Sequence, residues 1–85
     1  MNERHIVVLD AGTSSLRCVV FDRLGRTVAS TSSPWSYRTV PDASPFAREL
    51  DAESVWRSVC RLVRGALANS GSGPLEVAAV TATGQ

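Results

Sequence analysis

Ile6-Val7-Val8-Leu9-Asp10-Ala11-Gly12-Thr13-Ser14-Ser15-Leu16-Arg17 is the stretch that decides the fold. An apolar run ends on a carboxylate, crosses a turn of small and hydroxylic residues, and resumes as Cys18-Val19-Val20-Phe21. Runs of β-branched residues bounded by Gly and Ser read as two strands joined by a tight hairpin. A turn without bulky side chains presents backbone N–H groups and hydroxyls to an anion. Asp10, just before it, is suited to hold a divalent metal through water, because Mg²⁺ keeps much of its hydration shell. Asp10, the Gly12-Thr13-Ser14-Ser15 turn and Arg17 therefore read together as a phosphate-and-magnesium site. On the tetrapeptide Asp-x-Gly-Thr alone, a hairpin whose Asp and Ser cap their own turn is the competing reading.

Outward from the hairpin, the first strand (about 6–10) is apolar at nearly every position, which predicts burial on both faces inside a sheet. A buried Asp10 at its end needs a metal or donors to meet it. The second strand (about 16–22) leads to Asp22-Arg23-Leu24-Gly25, a hairpin turn in which Gly25 supplies a positive φ. A third strand (about 26–32) completes an antiparallel meander. From Ser33 to Glu49 periodicity disappears, and Pro34, Pro41 and Pro45 exclude a regular helix. Trp35, Tyr37 and Phe46 are too aromatic for a free linker, so this connection is expected to lie back on the protein.

Asp51 can cap a helix over about 52–69, with Glu53 at the positive end of the dipole and Leu50 stapled onto Val55. Val55, Val59, Leu62, Val63 and Ala66 follow helical spacing, while Arg57, Arg61 and Arg64 fall on the opposite face. Trp56 is expected at the edge of the core. Asn69-Ser70-Gly71-Ser72-Gly73-Pro74 ends the helix. A fourth strand (about 75–81) is expected inside the sheet, parallel to the first because a strand–helix–strand unit needs a parallel neighbour. Polar Thr81-Ala82-Thr83-Gly84-Gln85 then stands at the carboxyl end of a strand, where α/β sheets bind ligands.

Asp10-Ala11-Gly12-Thr13-Ser14-Ser15-Leu16-Arg17 resembles the first phosphate-binding hairpin of the FGGY carbohydrate kinases, in the sugar kinase, Hsp70 and actin superfamily. The family pattern is Asp-x-Gly-Thr-[Ser/Thr]-Ser-x-Arg between apolar strands. The match runs on through Val19, Val20, Phe21 and Asp22 to Leu24-Gly25, then Trp56 and Thr83-Gly84-Gln85. The resemblance spans essentially residues 1–85, as the amino-terminal part only of a much longer family member. It implies an α/β fold of the ribonuclease-H-like (actin-like ATPase) type, with the meander followed by the helix and the parallel strand.

The function it implies is ATP-dependent phosphorylation of a sugar or polyol hydroxyl. ATP and Mg²⁺ are then the cofactors. Asp10 organises the metal, Gly12, Thr13, Ser14 and Ser15 cradle the β- and γ-phosphates, and Arg17 adds a contact or pairs with a neighbouring acid. Gln85 falls beside the sugar site. Gly84-Gln85 resembles the xylulose-kinase type and favours a pentose or related polyol. The family's general base lies in a later segment, so the remaining kinase chain is itself a partner, and the full enzyme is open to homodimerisation. A nucleotide-binding or structural actin-like module without transferase activity is the alternative. A small dimeric, retroviral-type aspartic protease is a remote one, disfavoured by Ala11 and by the long helix.

Eighty-five residues allow one small domain, and 44% hydrophobic content is ordinary for a globular chain. A net charge of +1, with scattered arginines and no basic run, supports neither nucleic acid nor an anionic membrane as partner. Cys18 and Cys60 form no Cys-x-x-Cys pair and no metal-ligand spacing with His5, so both read as reduced structural cysteines. The apolar run before Asp10 is too short for a signal-peptide core or a membrane span, which makes cytoplasm the expected compartment.

Overall fold

Apolar and β-branched residues from His5 to Ala11 form the first strand, β1, and their partners from Ser15 to Phe21 form β2. The computed structural model describes residues 4–35, 37–39, 48–71 and 76–84. β1 and β2 pair antiparallel from Ile6↔Phe21 to Ala11↔Leu16, so the chain reverses within Gly12–Ser15. β2 pairs antiparallel with β3 (Thr27–Pro34), and the meander expected from the sequence is formed. A small two-stranded sheet, β4 (Tyr37–Thr39) with β5 (Arg48–Leu50), stands where periodicity had predicted only irregular chain.

The helix α1 runs Ala52–Ser70. Its N-cap is Asp51, whose carboxylate accepts from the Glu53 N–H at 3.3 Å and the Ser54 hydroxyl at 2.8 Å. It stops at Gly71, whose φ of 76° is left-handed and whose N–H returns to the Ala68 carbonyl at 3.2 Å. The chain then re-enters the sheet as β6 (Val77–Gly84), parallel to β1, giving the order β3-β2-β1-β6.

Alternation along the strands creates two unlike faces. Val7, Leu16, Cys18 and Val20 face α1 and meet Leu62 and Ala66 to make the buried core. Thr31 on β3 ties the layers by donating from its hydroxyl to the Leu62 carbonyl at 2.7 Å. At Gly65 the layers lie close, and a Cβ there would stand 3.4 Å from the Thr31 methyl, at the near limit of ordinary contact.

Four expectations are corrected. β1 is interior in the sheet, yet burial on the face away from α1 is uneven: Val19 of β2 is buried there, while Ile6 is 41% exposed. Among the described residues β6 stands at the edge of the sheet rather than inside it, and Val80 is 63% exposed because α1 lies over β2 and β3. Its span is also displaced, since pairing with β1 continues to Ala11↔Gly84 and draws Thr81–Gly84 into the ladder. Trp56 is 65% exposed on the solvent side of α1, so it does not anchor the core edge. Its neighbours Val55 and Val59 take the inward positions instead. The expected packing of Tyr37 and Phe46 and the Leu50 staple lie outside the described side chains.

Candidate functional site

Period-two alternation puts Asp10 on the face away from α1, at the carboxyl end of β1. Its register partners are Arg17 on β2 and Thr83 on β6, so acid, cation and hydroxyl residue share one face beside the hairpin. The Asp10 carboxylate is 39% exposed and lies 3.7 Å from the Arg17 guanidinium. Asp10 is thus half-exposed rather than a buried ion. A loose surface pair of this kind contributes about 0–1 kcal/mol, so either partner can be drawn to a stronger counter-ion.

The turn itself is small and tied down. The Gly12 N–H donates to the Ser15 carbonyl at 2.9 Å, while Thr13 and Ser14 are exposed at the tip. A Cβ at Gly12 would meet only the Ser15 carbonyl, at an ordinary 3.5 Å. The glycine is therefore not required by crowding within this chain, and its bareness leaves the approach to the turn open. Trp35, just past β3, donates its backbone N–H to the Ser14 carbonyl at 3.2 Å and its indole N–H to the Gly12 carbonyl at 2.7 Å. The sequence marks Thr83 as part of the Thr83-Gly84-Gln85 segment and Trp35 as an aromatic of the connection, but assigns neither to this site. The only sequence signals were an aromatic residue in the proline-rich connection and a hydroxyl at the strand end.

Gly12, Thr13, Ser14, Ser15, Asp10 and Arg17 are thus brought together, whereas Gln85 lies outside the described residues. The donor set fits Mg²⁺ and a polyphosphate. Asp10 offers a reachable hard oxygen ligand, and among the described residues no group of three His, Cys, Asp or Glu side chains builds an all-protein cage. Mg²⁺ is held in that way, by one or two carboxylates, substrate phosphates and water. A cleft of about 180 Å³ lies elsewhere, between Trp35, Ser58 and Arg61 on the α1 face. Its one acid, Asp51, is committed to capping α1, and Thr13 and Ser14 of the hairpin tip do not line it, so the hairpin face at Asp10 is the stronger candidate.

A mixed four-stranded sheet with one crossing helix and an acid-led hairpin is a fold seen in sugar kinases with the actin-like ATPase fold. Gluconate kinase from Lactobacillus acidophilus superposes with a TM-score of 0.79 at 23% identity, over 98% of this chain and 16% of that one. Ligand-bound xylulose kinase from the same organism gives 0.77 at 23% identity, over 96% and 16%. No family model matches the chain. Among curated proteins, the autoinducer-2 kinase of Escherichia coli (strain K12) is 40% identical over 78 residues, 92% of this chain. That of Salmonella paratyphi A is 36% identical over the same length. Over those 78 residues the chain is similar to autoinducer-2 kinases, and it spans 14% of the length of these curated relatives. The aspartic-protease alternative is set aside by the 19-residue helix and the parallel β1–β6 pair. No helix among the described residues is long and apolar enough to cross a membrane.

Proposed function

We propose that residues 1–85 form part of the amino-terminal domain of an ATP-dependent carbohydrate kinase and supply its first phosphate-binding hairpin. The observation that carries this reading is the placement of Asp10 and Arg17 opposite one another on the face beside the Gly12–Ser15 turn. Asp10 would hold Mg²⁺, and the hydroxyls and N–H groups of Thr13, Ser14 and Ser15 would hold phosphate oxygens. Mg²⁺, when bound, offsets phosphate charge as the γ-phosphoryl group passes to a sugar hydroxyl. Arg17 leaves its loose pairing with Asp10 for a phosphate oxygen, and Gln85 borders the sugar. The general base comes from a later segment, and the reaction belongs to the cytoplasm. The names of the relatives make autoinducer-2, gluconate and xylulose the first substrates to try, and all are small polyhydroxylated acceptors.

The test is ADP release by the complete protein with Mg²⁺, ATP and each acceptor in turn. One acceptor is expected to raise release well above the sugar-free rate. Asp10→Ala is expected to lower that rate about a hundredfold or more, the scale of several kcal/mol of charge stabilisation, with the circular dichroism unchanged. Full activity in that variant removes Asp10 from the mechanism. Nucleotide binding with no acceptor-dependent release favours the non-transferring module instead.

A further inference from the structure

Trp35 is the first residue beyond β3, and both of its nitrogens donate to carbonyls of the hairpin. A trans peptide is planar, so each carbonyl and the N–H of the following residue point in opposite directions. Holding the Gly12 carbonyl on the indole therefore turns the Thr13 N–H to the side away from Trp35. Holding the Ser14 carbonyl does the same for the Ser15 N–H. The Gly12 N–H bond to Ser15 closes the turn between them. Gly12 is the residue least able to hold a plane by itself, because glycine has the broadest φ/ψ freedom. The indole is in turn held from below, half-buried against the core that α1 makes with β1 and β2.

We propose that Trp35 is a positioning residue for the nucleotide hairpin, locking its peptide planes with the carbonyls turned back and the amides turned outward. This rests on the kinase reading above. It goes beyond it by assigning ATP affinity, and not sugar affinity, to a residue of the connection after β3. The competing role is plain packing, in which the indole N–H merely finds a partner.

Trp35→Phe in the complete protein keeps the ring and removes the side-chain donor. The loss of one neutral hydrogen bond is expected to raise the KM for ATP about three- to tenfold. The KM for the sugar is expected to stay within about twofold, as is usual for a site that shares no partner with the change. Amide exchange across Gly12–Ser15 is expected to speed up by a similar factor, with Trp56→Phe as a silent control. Unchanged KM for ATP, or both KM values rising together, overturns the proposal. If the wild type binds no nucleotide, it is the kinase reading that fails. Unchanged hairpin exchange in Trp35→Phe then overturns the positioning role separately. Should the variant not fold, the wild type carries the test. Its Trp35 indole proton is expected to exchange slowly, and exchange at the free-indole rate contradicts the proposal.

Discussion

Leu9 and Asp10 are neighbours in β1, as Cys18 and Arg17 are in β2, yet each pair sends one side chain to the core and one to solvent. A one-residue slip would bury an ion pair and expose the core, so register and chemistry are set together. The two thiols differ in burial as well. Cys18 is fully buried and its burial pushes the thiol up from its ordinary value, whereas Cys60 on α1 is half-buried. Since the thiolate is the reactive form, Cys60 is expected to be alkylated well before Cys18 in the folded protein. Peptide mapping after timed iodoacetamide treatment reads this directly, and equal labelling would contradict the burial of Cys18.

At the scale of elements, the β2–β3 turn is fastened by one carboxylate. Asp22 accepts from the N–H groups of Leu24 and Arg26, both at 2.9 Å, and from the Arg26 guanidinium at 2.8 Å. The Arg26 N–H above all holds its carboxyl below the ordinary range, against the opposing effect of burial, with the Arg26 side chain and Leu24 N–H adding to the lowering. A carboxyl depressed in the folded state stabilises above its ordinary pKa and loses that contribution as pH falls through the folded value. The Tm advantage of wild type over Asp22→Asn is therefore expected to shrink on the acid side of about pH 4. A difference constant from pH 6 to pH 2 would contradict it.

Much of this element was legible. The turn dipeptide, the positive φ of 81° at Gly25 and the Asp51 cap all follow from residue chemistry that acts within a few positions. The helix began where its cap stood, and the hairpin motif located Asp10 and Arg17. What was not legible depends on distant chain. The place of β6 at the edge and the exposure of Trp56 and Val80 depend on where α1 crosses, which no local pattern encodes. Trp35 lies back on the protein as expected, but its bond to Gly12 is a reach across 23 residues that no local signal marks. The small β4–β5 sheet was hidden by prolines that broke the alternation used to find strands.

Among the described residues the main body is a four-stranded sheet with α1 on one face, beside the small β4–β5 sheet. The chain's radius of gyration, 15.3 Å, exceeds the roughly 12 Å of a compact chain of this size, and its core is correspondingly small. Ile6 and Val80 remain exposed, and the face that carries Asp10, Arg17 and Thr83 is open beside the hairpin. An open acidic strand end can bind a polyphosphate, but a kinase must also shield the transferring group from water, which closure of further chain around ATP and sugar would do. The reaction expected of the complete protein is therefore transfer rather than hydrolysis. It is tested most directly by giving the complete protein ATP labelled in the γ-phosphate, with Mg²⁺ and the acceptor panel. The label is expected in a sugar phosphate, and Asp10→Ala is expected to slow its formation about a hundredfold or more. Label found only in inorganic phosphate, or left in ATP with every acceptor, would contradict the claim.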